Sequence, residues 1–212
     1  MANIFFLLLA SYFLGSLNGA QLLHHILRRK FPAHITRIGT KNAGMQNVWM
    51  SIGKKSGLVV FAIDFLKGYL ALALGKMMGF EGTMLLVSAA LVILGHNWPI
   101  FFHFRGGRGF ASLIGVFWAF DARIAFIASV FSLPIGFILR LAGITPFIFL
   151  IIGSFALYSH AYILIAVILF AKRVYAEWKP LMESRNKIVA LKNLLLYDRA
   201  TSNPPSLKKL FS

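Results

Sequence analysis

Residues 82–120 read GTMLLVSAALVILGHNWPIFFHFRGGRGFASLIGVFWAF. Two apolar runs flank a short segment, residues 103–109, which holds two arginines and three glycines and is called the second loop below. An α-helix needs about 20 residues to cross the hydrocarbon layer of a membrane, and the first run has that length. The pattern therefore predicts membrane-embedded helices joined by a basic, glycine-rich connection.

The composition of the whole chain also indicates a membrane protein. Of its 212 residues, 58% are hydrophobic and 13% are charged, and the mean hydropathy is +0.76. A soluble domain keeps roughly a quarter of its residues charged, so this chain has too few polar groups to cover a surface in water. It contains no cysteine, which excludes a disulfide framework, a thiol nucleophile and a thiolate metal site.

The pattern of apolar runs predicts an all-α polytopic membrane bundle of about seven transmembrane helices. The predicted spans are residues 3–27, 57–75, 82–102, 109–120, 122–139, 144–157 and 161–174. The last four are separated by Asp121 and Arg123, by residues 140–143 and by residues 158–160. A secretory signal requires basic residues in front of its apolar run, and the first run has none. We therefore predict that it is a transmembrane helix and is not cleaved. We expect a transmembrane domain at 1–179 and a basic tail at 180–212.

The charge of the chain predicts its orientation. Lysine and arginine total 22 against 6 acidic residues, a net charge of +16. In a soluble protein this excess would indicate nucleic-acid binding. Here nearly all basic residues fall on one side of the predicted bundle, which the positive-inside rule makes cytoplasmic. We therefore expect an outside N-terminus, a cytoplasmic C-terminus and no nucleic-acid partner. Residues 186–196 predict either an amphipathic helix on anionic lipid or a solvated or disordered segment.

The second loop has the chemistry of a phosphate site. Gly106, Gly107 and Gly109 let backbone amides approach an anion without a Cβ in the way, and the following helix adds its N-terminal dipole. Arg105 and Arg108 add permanently charged donors. The alternative is a tight turn whose arginines contact lipid headgroups.

A first polar loop lies between the first two spans. Its residues 37–47 read RIGTKNAGMQN and combine cationic, hydroxyl and amide donors with glycines. The residues that we predict to contact or shape a substrate are Arg37, Gly39, Thr40, Asn42, Gly44 and Asn47. Because both loops fall on one predicted side, they indicate two anionic substrates or one substrate with two anionic ends. An ordinary hydrophilic loop is the alternative.

Three titratable residues fall within predicted helices. Asp64 and Lys67 are three residues apart and share a helix face, and charges at membrane depth persist when they are paired. We predict a structural ion pair, with proton transfer as the alternative. His96 lies near the second loop and is a candidate to orient or deprotonate a hydroxyl, or a structural histidine. We see no metal-ligand spacing and expect no cofactor.

Residues 95–111 resemble the second signature of the bacterial acyl-phosphate:glycerol-3-phosphate acyltransferases, roughly G-H-x-x-P-x-F-x-x-F-K-G-G-K-G-x-A. Arginines occupy the two lysine positions of that signature. Residues 39–50 resemble the first signature, near G-S-G-N-x-G-x-T-N-x-x-R, with Lys41 in place of a glycine and Met50 in place of the arginine. The third signature, R-H-x-x-N-I, has its nearest counterpart at 173–178, which lacks the histidine and the asparagine.

This resemblance implies a seven-helix inner-membrane enzyme with a cytoplasmic active site. Its reaction transfers a fatty acyl group from acyl phosphate to the sn-1 hydroxyl of glycerol 3-phosphate, giving lysophosphatidate for phospholipid synthesis without a metal. The resemblance makes His96, Thr40 and Arg108 the candidate catalytic residues. It also implies that membrane lipids surround the protein and are its partners. Two alternatives stay open: an acyltransferase with altered substrates, and a non-catalytic membrane protein that binds lipid or anions.

Overall fold

The computed structural model describes residues 2–27, 34–138, 144–156, 162–184 and 186–197. Throughout these ranges the regular structure is helical and no strand is present, which confirms the predicted all-α class. The α-helices are α1 (Ala2–Ser16), α2 (Gly19–Ile26), α3 (Met45–Ser51), α4 (Lys54–Met77), α5 (Thr83–Asn97), α6 (Phe110–Phe120), α7 (Ala122–Ile138), α8 (Thr145–Ala156), α9 (Tyr162–Glu183) and α10 (Lys187–Tyr197). Two 3₁₀ turns, Ile35–Arg37 and Ile100–Phe102, lie in the connections.

Helix length and hydropathy decide which described helices are able to cross a membrane alone. Helix α4 and the segment Gly82–Phe102, which contains α5, meet both requirements. Helices α1 and α2 meet them together, as one span bent by 53°. Helix α6 and the apolar parts of α7 and α8 are shorter. The predicted breaks at 140–143 and 158–160 and the end of the tail lie outside the described residues.

The first predicted span, 3–27, is interrupted between α1 and α2. Asn18 caps α2, because its side chain accepts a hydrogen bond of 3.1 Å from the backbone N–H of Gln21. An asparagine in this position supplies an acceptor that the first turn of a helix otherwise lacks. The interruption leaves backbone groups of residues 17–19 available to neighbouring helices, and the site described below uses them.

Close backbone contacts hold the centre of the bundle together. A Cβ atom at Gly15 or Gly95 would lie 2.2 or 2.3 Å from a carbonyl oxygen of the facing helix, so α1 and α5 touch backbone to backbone. Helices α4 and α6 are in the same kind of contact. A Cβ at Gly68 or Gly115 would lie 2.2 or 2.0 Å from a carbonyl oxygen of the other helix. Small residues at helix contacts are typical of membrane proteins, where packing rather than the hydrophobic effect joins helices. The main apolar core lies among α4, α5, α6, α7, α8 and α9.

The C-terminal helices differ from the predicted bounds. Helix α9 continues to Glu183, beyond the predicted end of the last span at 174 and through the predicted domain boundary at 179. It packs against α5 and so brings Lys172 to the C-terminal end of that helix, at Asn97. Helix α10, Lys187–Tyr197, nearly coincides with the segment 186–196 for which the sequence predicts either a helix or disorder. The segment is helical in the structure.

Candidate functional site

A buried ion pair lies where α4 passes the break between α1 and α2. Lys67 Nζ is 2.9 Å from Asp64 Oδ1, and the two side chains are 4% and 0% exposed. The broken helix adds a hydrogen bond to each charge: Gly19 N donates to Asp64 Oδ1 at 3.1 Å, and Lys67 Nζ donates to Leu17 O at 3.1 Å. Buried charges persist when they are paired and their remaining hydrogen bonds are made. The ion pair therefore joins α4 to the bend.

His96 connects this ion pair to the second loop. Its Nδ1 lies 3.4 Å from Asp64 Oδ1 and 3.3 Å from Ser112 Oγ. Its Nε2 lies against the backbone of Gly107, where a Cβ would be 2.1 Å away. The residue is only 2% exposed. A general base needs to reach the hydroxyl that it deprotonates, so this placement favours a role in which His96 supports the loop from behind.

The first and second loops meet at Gly107. A Cβ there would lie 2.7 Å from the carbonyl oxygen of Ala43 in the first loop, and Asn18 Nδ2 donates to the same oxygen at 3.0 Å. Helix α2 also holds the second loop, because Gln21 Nε2 donates to Arg105 O. Only glycine fits at this crossing, and the two loops that the sequence places on one side are in contact.

Asn47 organises the first loop from within. It is fully buried, and its Oδ1 accepts from Thr40 N at 2.8 Å. Its Nδ2 donates to the carbonyl oxygens of Ile35, Ile38 and Asn42 at 3.0, 3.2 and 3.0 Å. An amide nitrogen has two hydrogens to donate, so these acceptors occupy it fully. Asn47 therefore shapes the loop rather than offering a free donor to a ligand.

The other predicted residues of the first loop lie nearer its surface. Thr40 and Asn42 are partly exposed, and Asn42 N donates to Thr40 Oγ1 at 3.4 Å. Gly44 is the N-cap of α3, a short helix within the loop that the sequence did not predict. Arg37 ends a 3₁₀ turn and is exposed. In the part of the loop before α3, the hydroxyl and amide groups available to a ligand are those of Thr40 and Asn42.

Two residues of the first loop have a left-handed backbone, Gly39 at φ 54° and Lys41 at φ 59°. A Cβ at Gly39 would also lie 2.2 Å from Asn47 Oδ1, so glycine is required there. Lys41 stands where the resembling signature has a glycine, and it keeps the conformation that favours glycine. Its side chain is exposed. The loop therefore follows a glycine-type path even with a lysine at this position.

We expect Lys41→Gly to leave the midpoint of thermal unfolding unchanged or raised. A left-handed conformation costs an L-residue about 1–2 kcal/mol, whereas the added chain entropy of glycine costs about 0.5–1 kcal/mol. Lys41→Val should lower the midpoint, because a β-branched residue tolerates this conformation poorly. Unfolding of the purified variants in one detergent checks both. Equal losses for glycine and valine would show that residue 41 is not left-handed in solution.

A buried polar cluster lies between α5, the second loop and α9. Lys172 is 5% exposed, its Nζ donates to the carbonyl oxygen of Asn97, and it lies 5.0 Å from the centre of the Trp98 ring. Arg108 is near enough to repel it. Among the side chains that the structure describes, no carboxylate forms an ion pair with Lys172. Two cations that repel one another are stabilised by an anion near them.

Asn97 and the N-terminus of α6 complete this cluster. The Asn97 side chain is fully buried, and neither of its amide atoms has a hydrogen-bond partner in the described part of the chain. It faces Gly109, the N-cap of α6, where a Cβ would lie 3.0 Å from Asn97 Oδ1. An unpaired buried amide costs about 1–3 kcal/mol, and a helix N-terminus attracts anions. We call Asn97, Arg108, Lys172 and this helix end the buried anion site.

The remaining predicted arginine of the second loop, Arg105, points elsewhere. With Arg37 it lines an open cleft of about 1040 Å³ whose wall also carries histidines. The two arginines of the phosphate site predicted in the second loop are thus separated. Arg108 lies in the buried anion site and Arg105 in this cleft. Among the described residues, no group of three or more His, Cys, Asp or Glu is arranged to hold a metal ion.

A helical bundle with apolar helices of membrane-spanning length and two glycine-containing loops in contact is typical of an integral membrane protein. The family model described as glycerol-3-phosphate acyltransferase matches residues 5–183, and the chain belongs to this family.

Individual relatives agree with the family match. Glycerol-3-phosphate acyltransferase 4 of Dehalococcoides mccartyi is 36% identical over 160 residues, which are 75% of this chain and 66% of that protein. The glycerol-3-phosphate acyltransferase of Thermoanaerobacter pseudethanolicus is 39% identical over 119 residues, 56% of this chain and 58% of that protein. The chain thus spans less than two thirds of the length of these relatives. The crystal structure of PlsY (YgiH), an integral membrane glycerol 3-phosphate acyltransferase in its glycerol 3-phosphate form, superposes with a TM-score of 0.73 at 26% identity, covering 99% of both chains.

Proposed function

We propose that this protein transfers a fatty acyl group from acyl phosphate to the sn-1 hydroxyl of glycerol 3-phosphate, giving lysophosphatidate for phospholipid biosynthesis. Family membership supports the reaction class. The similar solved protein carries glycerol 3-phosphate in one form and lysophosphatidic acid in another. The observation in this chain that carries the proposal is the buried anion site, because it offers two cations, an unpaired amide and a helix N-terminus to one phosphate group.

The proposed reaction mainly requires that the two reactants are positioned and that the developing negative charge is stabilised. The sn-1 oxygen attacks the acyl carbon, the bond from that carbon to the phosphate oxygen breaks, and phosphate leaves with the bonding electrons. The hydroxyl proton can pass to the leaving phosphate, so no strong protein base is needed. Acyl phosphate is already activated, and holding both reactants in place supplies much of the rate. Cationic donors that stabilise the developing charge supply most of the remainder.

The residues divide these tasks in the proposed mechanism. Arg108 and Lys172 hold the phosphate of glycerol 3-phosphate, and Asn97 donates to it through Nδ2. Thr40 and Asn42, the accessible polar groups of the first loop, orient the acyl phosphate. His96 positions Gly107 from behind and does not itself take the proton. No metal or cofactor enters this mechanism.

We also propose a plasma-membrane location with seven spanning helices, the N-terminus outside and both loops on the cytoplasmic side. The single bent span formed by α1 and α2 supports this count. The basic character of the loops supports the orientation.

The test is a reconstitution with defined reactants. Purified protein given palmitoyl phosphate and glycerol 3-phosphate should release lysophosphatidate and inorganic phosphate in equal amounts, and EDTA should not reduce the rate. Glycerol, which lacks the phosphate, should be a far poorer acceptor. Absence of product at stoichiometric enzyme would exclude this reaction, and product from another polyol phosphate alone would indicate altered substrates.

A further inference from the structure

The cleft beside the second loop is lined by two arginines and four histidines. Its charged and titratable lining residues are Arg37, Arg105, His24, His25, His34 and His103. They come from three elements: α2, the 3₁₀ turn of the first loop with its cap, and the second loop. The described lining contains no acidic residue, and about 1040 Å³ is enough for a phosphate ester with part of its organic group. We call this feature the histidine cleft.

Two of these histidines are in contact at the inner wall. The ring centroids of His24 and His34 are 4.6 Å apart, with the planes at 66°. His34 Nδ1 also lies 2.8 Å from Thr36 Oγ1, which fixes the ring. Two positive charges at about 4 Å repel by about 1–4 kcal/mol, depending on solvent exposure. This repulsion disfavours a positive charge on both rings at once while no anion is near.

The two arginines of the cleft also disfavour a protonated His34. Partial burial, together with the positive charges of Arg37 and Arg105, lowers the pKa of His34 below its ordinary value. His34 is therefore neutral at pH 7 when the cleft is empty. An anion placed between the two arginines reverses this effect, because it offsets their field and favours the imidazolium form. Anion binding and proton uptake then strengthen each other.

We propose that the histidine cleft is a second phosphate-binding site, separate from the buried anion site, which takes up a proton together with its ligand. Its ligand class is inorganic phosphate or a phosphate monoester, and the headgroup of a phosphatidate lipid presents the same chemistry. Affinity is low at pH 8, where only the two arginines attract the anion. It rises as the pH falls through the pKa of the occupied cleft. The proposal concerns binding alone and stands whether or not the acyl transfer proposed above occurs.

The test uses sulfate as the probe, because its charge stays constant over the range in which phosphate itself titrates. The full chain is placed in phosphatidylcholine nanodiscs, and sulfate binding is measured by equilibrium dialysis from pH 8 to pH 6. Linkage to one proton should raise the affinity about tenfold, the equivalent of one pKa unit. Inorganic phosphate then serves as the second probe. A wild-type affinity that does not change with pH would overturn the proposal.

Variants assign the effect to the cleft. His34→Gln and His24→Gln should reduce the gain to less than about threefold. Lys55→Gln, an exposed cation of α4 outside the cleft, is the matched control and should keep the full gain. Loss of the gain in Lys55→Gln, or its persistence in a His24→Gln/His34→Gln double variant, would contradict the assignment.

A final arm identifies the source of the ligand. Nanodiscs that contain phosphatidate should weaken sulfate binding at pH 6 if lipid headgroups occupy the cleft, and should have no such effect if the ligand is soluble. No acyl donor is present in any arm. A failed acyl-transfer assay therefore leaves this result unaffected, and a failed binding experiment leaves the proposed reaction standing.

Discussion

Arg108→Ala should lower the turnover of palmitoyl phosphate and glycerol 3-phosphate by about 10²–10³-fold while the protein stays folded. Loss of a single charge-stabilising donor in other active sites has an effect of about this size. Arg108 lies near Lys172 and directly before the N-terminal turn of α6, so its charge is close to the proposed position of a phosphate. Initial rates measured over a range of glycerol 3-phosphate should show a higher KM as well as a lower kcat.

Two controls separate charge from general damage. Arg123→Ala removes an exposed arginine from the first turn of α7 and should change the rate less than about twofold, since surface substitutions away from special features have small effects. Arg108→Lys restores the charge without the planar fork and should recover most of the lost rate. Wild-type turnover in Arg108→Ala would remove this residue from the phosphate site. Equal losses in Arg108→Ala and Arg108→Lys would show that the guanidinium geometry, rather than charge, is required.

The helical membrane fold follows from local properties, and the sequence predicts it well. Apolar runs of the right length and basic loops depend only on residue type along the chain. The bend after Ser16 depends on something else. Hydropathy is continuous through this region, but the freed Leu17 carbonyl and Gly19 amide are matched by the ion pair of α4, which is distant in sequence. A break that is stabilised by another helix leaves little trace in the segment that breaks.

The sequence predicts the chemistry of the site but not the arrangement of its residues. The glycines and arginines of the second loop predict phosphate chemistry because the residue types themselves supply it. Their division does not follow from spacing: Gly107 is pressed between His96 and Ala43, and the two arginines on either side of it enter different surroundings. Lys172 was not predicted, since its importance comes from the packing of α9 against α5. Its one signal in the sequence is a lysine directly after a long apolar run.

Asp64→Ala should destabilise the protein strongly, by about 3–5 kcal/mol. It leaves the Lys67 ammonium buried at 4% exposure without its counter-charge, and breaking a buried pair from one side costs about that much. The same change removes the acceptor for Gly19 N. Thermal unfolding in detergent should show a large fall in the midpoint, and Ala62→Val, at an exposed position of the same helix, should show little change. A wild-type midpoint for Asp64→Ala would mean that the pair is not closed in solution.

A double variant, Asp64→Leu/Lys67→Met, separates the two roles that the ion pair can have. Replacing a buried pair by apolar residues of similar volume is often neutral for stability, so we expect the midpoint to recover most of the loss seen in Asp64→Ala. Activity should not recover with it, because Asp64 also faces His96 Nδ1 at 3.4 Å, and His96 supports Gly107 where the two loops meet. Recovery of both stability and turnover would show that the pair serves the bundle alone. Recovery of stability without turnover would show that it orients the catalytic loops through His96.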